Sequence, residues 1–353
     1  MLGEVRVAPN IGPQLGNVGD VQVKTLMSNV VWPNEVDPVP DEMFGPNHII
    51  ACGGFLIPFA QTGQVTLYNT ATGERNQIST NERNYFYHQA KFRDVDGDGL
   101  LDIITAKVNF PTSTIGKLVW FRNPGTRTFP WEERTLITGG PDIFFELHDF
   151  NGDGLEEIVA PCFFAQKLSI YYNFGNFSNP NDWKERLIDN KVGGLFDVEV
   201  VDLNKDGRVD ILATNHQGKI NESAVMAYEV PNDFVNGAYT RHIIAMGFDT
   251  TQPGDNQASP GGAVTFYPVT SNVNEKPYIL VSGDGTQRAH LIKPLSQSPS
   301  NWDYDMNTLI YVANTVGGVS VGDVDGDGYT EMFIPSFESG DVHVFTFSPS
   351  KNN

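Results

Sequence analysis

The sequence predicts an all-β fold: a single β-propeller domain of six four-stranded blades spanning residues 1–353. Three observations lead there. A nine-residue acidic phrase occurs four times, an apolar run follows each copy directly, and two further strand patterns recur at the same spacing.

The four copies are Asp94-Val-Asp-Gly-Asp-Gly-Leu-Leu-Asp102, Asp149-Phe-Asn-Gly-Asp-Gly-Leu-Glu-Glu157, Asp202-Leu-Asn-Lys-Asp-Gly-Arg-Val-Asp210 and Asp323-Val-Asp-Gly-Asp-Gly-Tyr-Thr-Glu331. Oxygen donors stand at the first, third, fifth and ninth positions, and glycines relieve backbone crowding between them. In the first loop Asp94, Asp96, Asp98 and Asp102 would converge on one point. Asp149, Asn151, Asp153 and Glu157 repeat this, as do Asp202, Asn204, Asp206 and Asp210, and then Asp323, Asp325, Asp327 and Glu331. The seventh residues, Leu100, Leu155, Arg208 and Tyr329, would add backbone carbonyls.

An all-oxygen shell suits calcium, which takes roughly six to eight oxygens, better than magnesium, which prefers a smaller octahedron and retains waters. Carboxylates gathered without a cation would repel. The expectation is therefore up to four structural calcium ions and no organic cofactor, with metal-free acidic turns as the alternative. The phrase opens like an EF-hand loop, but the twelfth position from Asp94 is Thr105 instead of Glu. Ile103-Ile104, Ile158-Val159, Ile211-Leu212 and Phe333-Ile334 follow the loops and read as buried strands, so each loop joins two strands.

The first Asp of each loop falls at 94, 149, 202 and 323, and the last interval is about two periods long. One repeat has thus lost its loop, and Tyr278-Ile-Leu-Val-Ser-Gly-Asp284 marks it. Asn47-His-Ile-Ile-Ala-Cys-Gly-Gly54 is a further degenerate copy. An outer-strand pattern recurs at Lys24-Thr-Leu-Met, Arg75-Asn-Gln-Ile, Arg134-Thr-Leu-Ile, Glu185-Arg-Leu-Ile, Arg241-His-Ile-Ile and Asn307-Thr-Leu-Ile, with Trp131, Trp183 and Trp302 shortly before three of them. An aromatic strand recurs at Val65, Leu118, Leu168, Val225 and Val342. Four strands per unit is the mark of a propeller blade. The last unit lacks its outer strand, and the copy near Lys24–Ser28 could supply it and close the ring. A seventh blade would have to lie in 1–47 or 231–262. Residues 1–20 and 349–353 are expected to be peripheral.

On these loops and strands the chain resembles the FG-GAP/VCBS-type repeat propellers, a family that includes the integrin head, some fungal lectins and several lyase-like enzymes. Many members have seven blades. The resemblance implies calcium in the loops. It implies either a small-molecule enzyme or a sugar-binding or adhesion module.

Composition narrows the classes. The formal charge is −20, which argues against non-specific nucleic-acid binding. No apolar run is long enough for a membrane helix. Met1-Leu-Gly-Glu-Val-Arg is not a secretory signal, so a cytoplasmic location is expected, or secretion if a signal has been removed. Cys52 and Cys162 read as buried thiols. Oligomeric state is left open.

The metal loops would occupy one face of the ring, and a ligand would sit on the other. That face collects Trp32, Phe55, Asn109, Phe110, Phe144, Phe164, Phe196, Asp284 and Phe337 as binding residues. His88 or His216 would donate or accept a proton, or each could simply be a hydrogen-bonded structural residue, and Tyr87 and Arg288 would stabilise developing charge. Asp284 and Arg288 could instead simply pair with each other, and the aromatics could simply pack between blades. An apolar wall with few polar groups suits a small apolar or aromatic ligand. No dinucleotide fingerprint, phosphate loop or nucleophile elbow occurs, leaving non-redox lyase, isomerase or cyclase chemistry. The family resemblance extends this to pericyclases joining a quinone methide to a terpene in fungal secondary metabolism. A calcium-containing lectin or adhesion propeller is the alternative, and a protein-docking scaffold is a third.

Overall fold

The strand after each acidic loop has no polar alternation because both of its faces are covered. Asp102–Asn109, Glu157–Cys162 and Asp210–Asn215 are buried along nearly their whole length. A computed structural model places each of them second in an antiparallel sheet. It describes residues 2–54, 62–80, 82, 84–109, 113–250 and 258–349.

The fold is all-β, with six propeller-type blades and almost no helix. Blade one runs Pro33–Pro38, His48–Gly53, Val65–Asn69, Arg75–Gln77. Blade two has Asp102–Asn109, Lys117–Arg122 and Glu132–Thr138, with an inner edge formed in two pieces, Tyr85–Tyr87 and Lys91–Arg93. Blade three is Glu146–His148, Glu157–Cys162, Lys167–Asn173, Trp183–Asp189. Blade four is Leu195–Val201, Asp210–Asn215, Ala224–Glu229, Thr240–Met246. Blade five is Ala263–Phe266, Tyr278–Ser282, Arg288–Pro294, Tyr304–Tyr311. Blade six has three strands, Ser320–Gly322, Glu331–Ser336 and Asp341–Thr346. Every acidic loop joins a first strand to a second, and His48 and Tyr278 open the second strands of the two blades that lack the loop.

The chain divides into two compact units, Met1–Pro9 with Gln22–Leu187 and Asn10–Val21 with Ile188–Asn353. Within each, successive blades pack face to face. Because strand side chains alternate, Ile103 joins blade one's Ile50, Cys52 and Leu67, while Ile104 joins blade three's Ile158 and Ala160. In the second unit Leu212, Ile279 and Ile292 form one such layer, and Leu280, Leu291, Met332 and Ile334 the next. Each fully buried side chain of this size is worth ~1.5–3 kcal/mol. The tryptophans before the outer strands act as wedges: Trp131 stacks on Phe44 at 5.6 Å and Trp302 on His242 at 4.1 Å.

The N-terminal segment differs from expectation. Leu2–Val7 is a strand and pairs antiparallel with Lys24–Val31. Val5, Met27 and Val30 pack on Ala51 and Tyr68 of blade one. Val5 therefore brings this strand onto a core, and the Lys24 strand takes Leu2–Val7 as its partner where the outer strand of blade six was expected. A hairpin partner close in sequence is favoured because it closes a far shorter loop. This two-stranded sheet is what 1–47 contains in place of a seventh blade. The described part of 231–262 forms the outer strand of blade four and the approach to blade five.

Candidate functional site

In each acidic loop the first Asp shapes the turn. Asp94 accepts the N–H groups of Gly97, Asp98 and Gly99 at 2.8, 3.1 and 2.8 Å. Asp149 and Asp323 do the same in their loops, and Asp202 accepts from Asp206 and Gly207. The fourth loop position is in the left-handed region: Gly97, Gly152 and Gly326 hold it, and Lys205 holds it at φ +62. The fifth residue, Asp98, Asp153, Asp206 or Asp327, accepts from the N–H of Leu100, Leu155, Arg208 or Tyr329.

The ninth residue lies underneath. Asp102 and Glu331 are fully buried, and Glu157 and Asp210 nearly so. Each accepts an N–H from the start of its own loop: Val95, Phe150, Leu203 and Val324 donate, and Asn204 also donates to Asp210. Burial, opposed by these bonds, pushes Asp102 up to about 6 and Glu157 and Asp210 up to about 7, and neighbouring loop carboxylates add to the shift. Carboxylate oxygens of Asp94, Asp96 and Asp102 lie within 4.8 Å of one another, as do those of Asp323, Asp325 and Glu331. Asp96 Oδ1 is buried with no hydrogen-bond partner among the described residues. Arg122 donates to Asp96 and Asp98 at 2.6 and 2.5 Å, and Arg208 to Asp206 at 2.8 Å. A hard oxygen-only donor set with an orphaned carboxylate oxygen fits a divalent cation.

At the other end of the blades the first unit carries an aromatic cluster. His88 is 6% exposed. It meets Phe86 edge-on at 5.2 Å and Phe144 tilted at 5.5 Å. Its Nε2 has no partner among the described residues, and burial lowers its pKa to about 3. Tyr87 is fully buried, its hydroxyl has no partner among the described residues, and burial pushes the phenol far up, so it stays neutral. Lys107 lies 4.1 Å over Tyr85 and pairs with Glu82 and Glu133. Asn109 ends the second strand of blade two with Oδ1 buried and without a partner among the described residues. Trp32 sits at φ +40 and its carbonyl accepts from Gly54. Phe163 and Phe164 meet edge-on at 5.3 Å.

Asp142 holds that aromatic pair, and the motifs in the sequence did not single it out. It is 1% exposed, accepts the N–H groups of Phe163 and Phe164 at 2.9 Å each, and is pushed up to about 7 by burial. The proline before it and the diaromatic loop opposite were the only signals.

The second unit brings together His216, Asp284 and Phe196. His216 Nε2 lies 2.8 Å from Asp284 Oδ2, and its ring is tilted against Phe196 at 5.0 Å. The two polar side chains are 14% and 26% exposed. Asp284 therefore pairs with His216 and not with Arg288. The turn Asp284–Gln287, with φ +46 and +60 at its ends, turns Arg288 away; its guanidinium donates to the Thr286 carbonyl at 2.8 Å and lies 5.1 Å over Tyr311. Phe337 is 53% exposed. Phe55 and Phe110 lie outside the described residues. A cleft of about 440 Å³ occurs beside the first acidic loop, lined by Met43, Phe44, Leu100 and Arg127 among others; it contains none of these acid–base candidates.

No curated protein matches the sequence significantly. Among solved structures, a putative oxidoreductase (glucose dehydrogenase) from Thermus thermophilus superposes with a TM-score of 0.49 at 12% identity, covering 97% of this chain and 99% of that one. A luciferin-regenerating enzyme gives 0.47 at 11%, covering 95% and 88%. A chain of a nidogen/laminin complex gives 0.44 at 12%, covering 81% and 87%. These likenesses are too remote to carry over an activity. The family model for the FG-GAP-like repeat matches residues 94–160 and 149–213, where three complete acidic loops and the strands that follow them lie. Residues 94–213 thus carry FG-GAP-like repeats, within an all-β chain of six propeller-type blades.

Proposed function

We propose that the chain is a non-redox enzyme acting on a small organic molecule at the His216–Asp284 pair. The carrying observation is the 2.8 Å contact between His216 Nε2 and Asp284 Oδ2 beside the Phe196 ring. A carboxylate only accepts, so neutral His216 is protonated on Nε2 and its basic lone pair is on Nδ1. Nδ1 takes a proton from substrate, Asp284 stabilises the resulting imidazolium, and the proton is returned to a leaving group or a carbon centre. The partly exposed pair can meet a ligand, whereas His88 and Tyr87 are enclosed.

Lyase, isomerase or cyclase chemistry fits one acid–base pair against an apolar wall. The narrowest form, drawn from the family resemblance, is a pericyclase joining a quinone methide to a terpene. Holding two such reactants in contact can be worth ~7–11 kcal/mol. The test is mass-spectrometric detection of the adduct from a quinone-methide precursor and a terpene, with His216→Gln as the paired enzyme. Equal product from both proteins would remove His216 from the chemistry.

Calcium in the four acidic loops is part of this reading. The loop carboxylates would hold it, with Asp96 Oδ1 as an available donor, and it would supply positive charge that fixes the loops. A sugar-binding propeller is the second reading, favoured by the exposed rings of Tyr311, 56%, and Phe337, 53%. Saturable glycan-array binding lost in Tyr311→Ala, together with no adduct, would select it.

A further inference from the structure

His216 and Asp284 are 68 residues apart in the chain, yet one short segment bonds to the loops of both. Ser259 exchanges two backbone hydrogen bonds with Gln217, next to His216, at 3.0 and 2.9 Å. The Ser259 hydroxyl donates to the carbonyl of Gly283, next to Asp284, at 2.8 Å. Gly285, on the other side of Asp284, donates to the Ala258 carbonyl at 3.2 Å. Gly261 and Gly262 continue the link by bonding to Ser282 at 2.8 and 2.9 Å. The approach is close: a Cβ on Gly261 would lie 2.9 Å from Ser282 Oγ and 3.5 Å from Asp284 Cβ.

We infer that Ser259 is the positioning residue of the His216–Asp284 pair, a role that rests on the acid–base reading above. It touches neither reacting group. Its backbone bonds to the His216 loop and its hydroxyl to the Asp284 loop, so this one residue ties the two loops to each other. Ser259 is fully buried, and its hydroxyl bond is made inside the protein, where a misplaced partner is not replaced by water. Asp284 gains from such a tether because its own backbone is at φ +46, a conformation that a non-glycine residue keeps only when its surroundings hold it. An imidazole–carboxylate bond weakens steeply with distance and angle. Freeing the Gly283 carbonyl should therefore loosen the pair without removing either member.

The experiment is long-range ¹H–¹⁵N correlation of the histidine side chains in the full chain, with His216 assigned from the signal missing in His216→Gln. In the wild type at pH 8 His216 should be the Nε2-protonated tautomer. In Ser259→Ala this signal should shift toward a mixture of tautomers. Ser259→Thr, which keeps the hydroxyl, should retain the wild-type pattern. Ser169→Ala, which removes an equally buried hydroxyl from blade three, should leave it unchanged. A wild-type spectrum in Ser259→Ala would overturn the inference. So would an equal change in Ser169→Ala, or loss of the pattern in Ser259→Thr. If the wild type itself lacks the Nε2-protonated form, the acid–base pair falls, and the role of Ser259 with it.

Discussion

Glu199 on the inner strand of blade four accepts both the backbone N–H and the hydroxyl of Thr265 on the inner strand of blade five, at 2.8 and 2.5 Å. Two residues earlier Asp197 accepts the N–H of Ala263 at 3.0 Å. An inner strand has a strand neighbour on one side only, and its other edge must find acceptors elsewhere. Side chains of the preceding blade provide them. The first unit repeats the device: Gln89 accepts from Phe145 N–H at 3.1 Å, and Asp37 accepts from the backbone of Ala90. Replacing Glu199 by Ala strands a backbone donor and should lower the unfolding free energy by ~1–3 kcal/mol. Thr265→Val, which keeps the N–H bond, should cost less. Chemical denaturation measures both, and an unchanged midpoint for Glu199→Ala would refute the stitching role.

Chelation should destabilise the protein through the acidic loops. Asp96→Ala with Asp98→Ala should lower the melting temperature in calcium by a few degrees, since about 1 kcal/mol shifts melting by roughly 2–4 °C in domains of about 150–250 residues and by less in longer ones. It should also shrink the further drop caused by a chelator. Calorimetry of both proteins with and without chelator tests this. Identical wild-type melting in the two conditions would end the calcium assignment.

His88 makes stability depend on acid. Burial holds its folded pKa near 3, against an ordinary value of 6.5, so the unfolded chain takes the proton first. Its contribution is intact above ~6.5 and is lost as pH falls toward the folded value, with a limiting slope of ~1.4 kcal/mol per pH unit. His290, lowered to about 4 by burial, acts in the same direction. His88→Phe keeps an aromatic ring against Phe86 and Phe144 and should flatten the acid limb between pH 6.5 and 4. An unchanged slope of unfolding free energy against pH would refute it.

Asp142 acts in the opposite direction. Burial raises its folded pKa to about 7 from 3.8, so its contribution is full below ~3.8 and is lost as pH rises through about 7. Asp142→Asn leaves one carbonyl oxygen for the two N–H groups of Phe163 and Phe164 and should cost ~1–3 kcal/mol at pH 5. The penalty should shrink at pH 8, where the wild type carries a buried charge. Denaturation at the two pH values checks the sign, and a larger penalty at pH 8 would contradict it.

The loops were legible because their residues are neighbours in the chain. Asp94 to Asp102 form one turn whose donors repeat on a local pattern, and the apolar runs after them name the strands. His216 and Asp284 were each legible as polar residues at strand ends, but their partnership was not, since 68 residues separate them. Asp142 had no motif because its function is to receive two N–H groups from a loop 21 and 22 residues away. The strand at Lys24 was recognised by its pattern and given the wrong partner: an outer-strand pattern records which face is apolar, not which edge it joins.

Alone, the amino-acid order determined that this chain is a repeating all-β protein with four acidic turns, because turn chemistry and strand alternation act between residues a few positions apart. Only the tertiary structure decided which side chains face one another across those repeats: His216 on Asp284, Glu199 on Thr265, Asp142 beneath Phe163 and Phe164. Such pairings depend on how blades are stacked and where loops turn, and hydrogen bonds a few ångströms long cannot be read from positions dozens of residues apart.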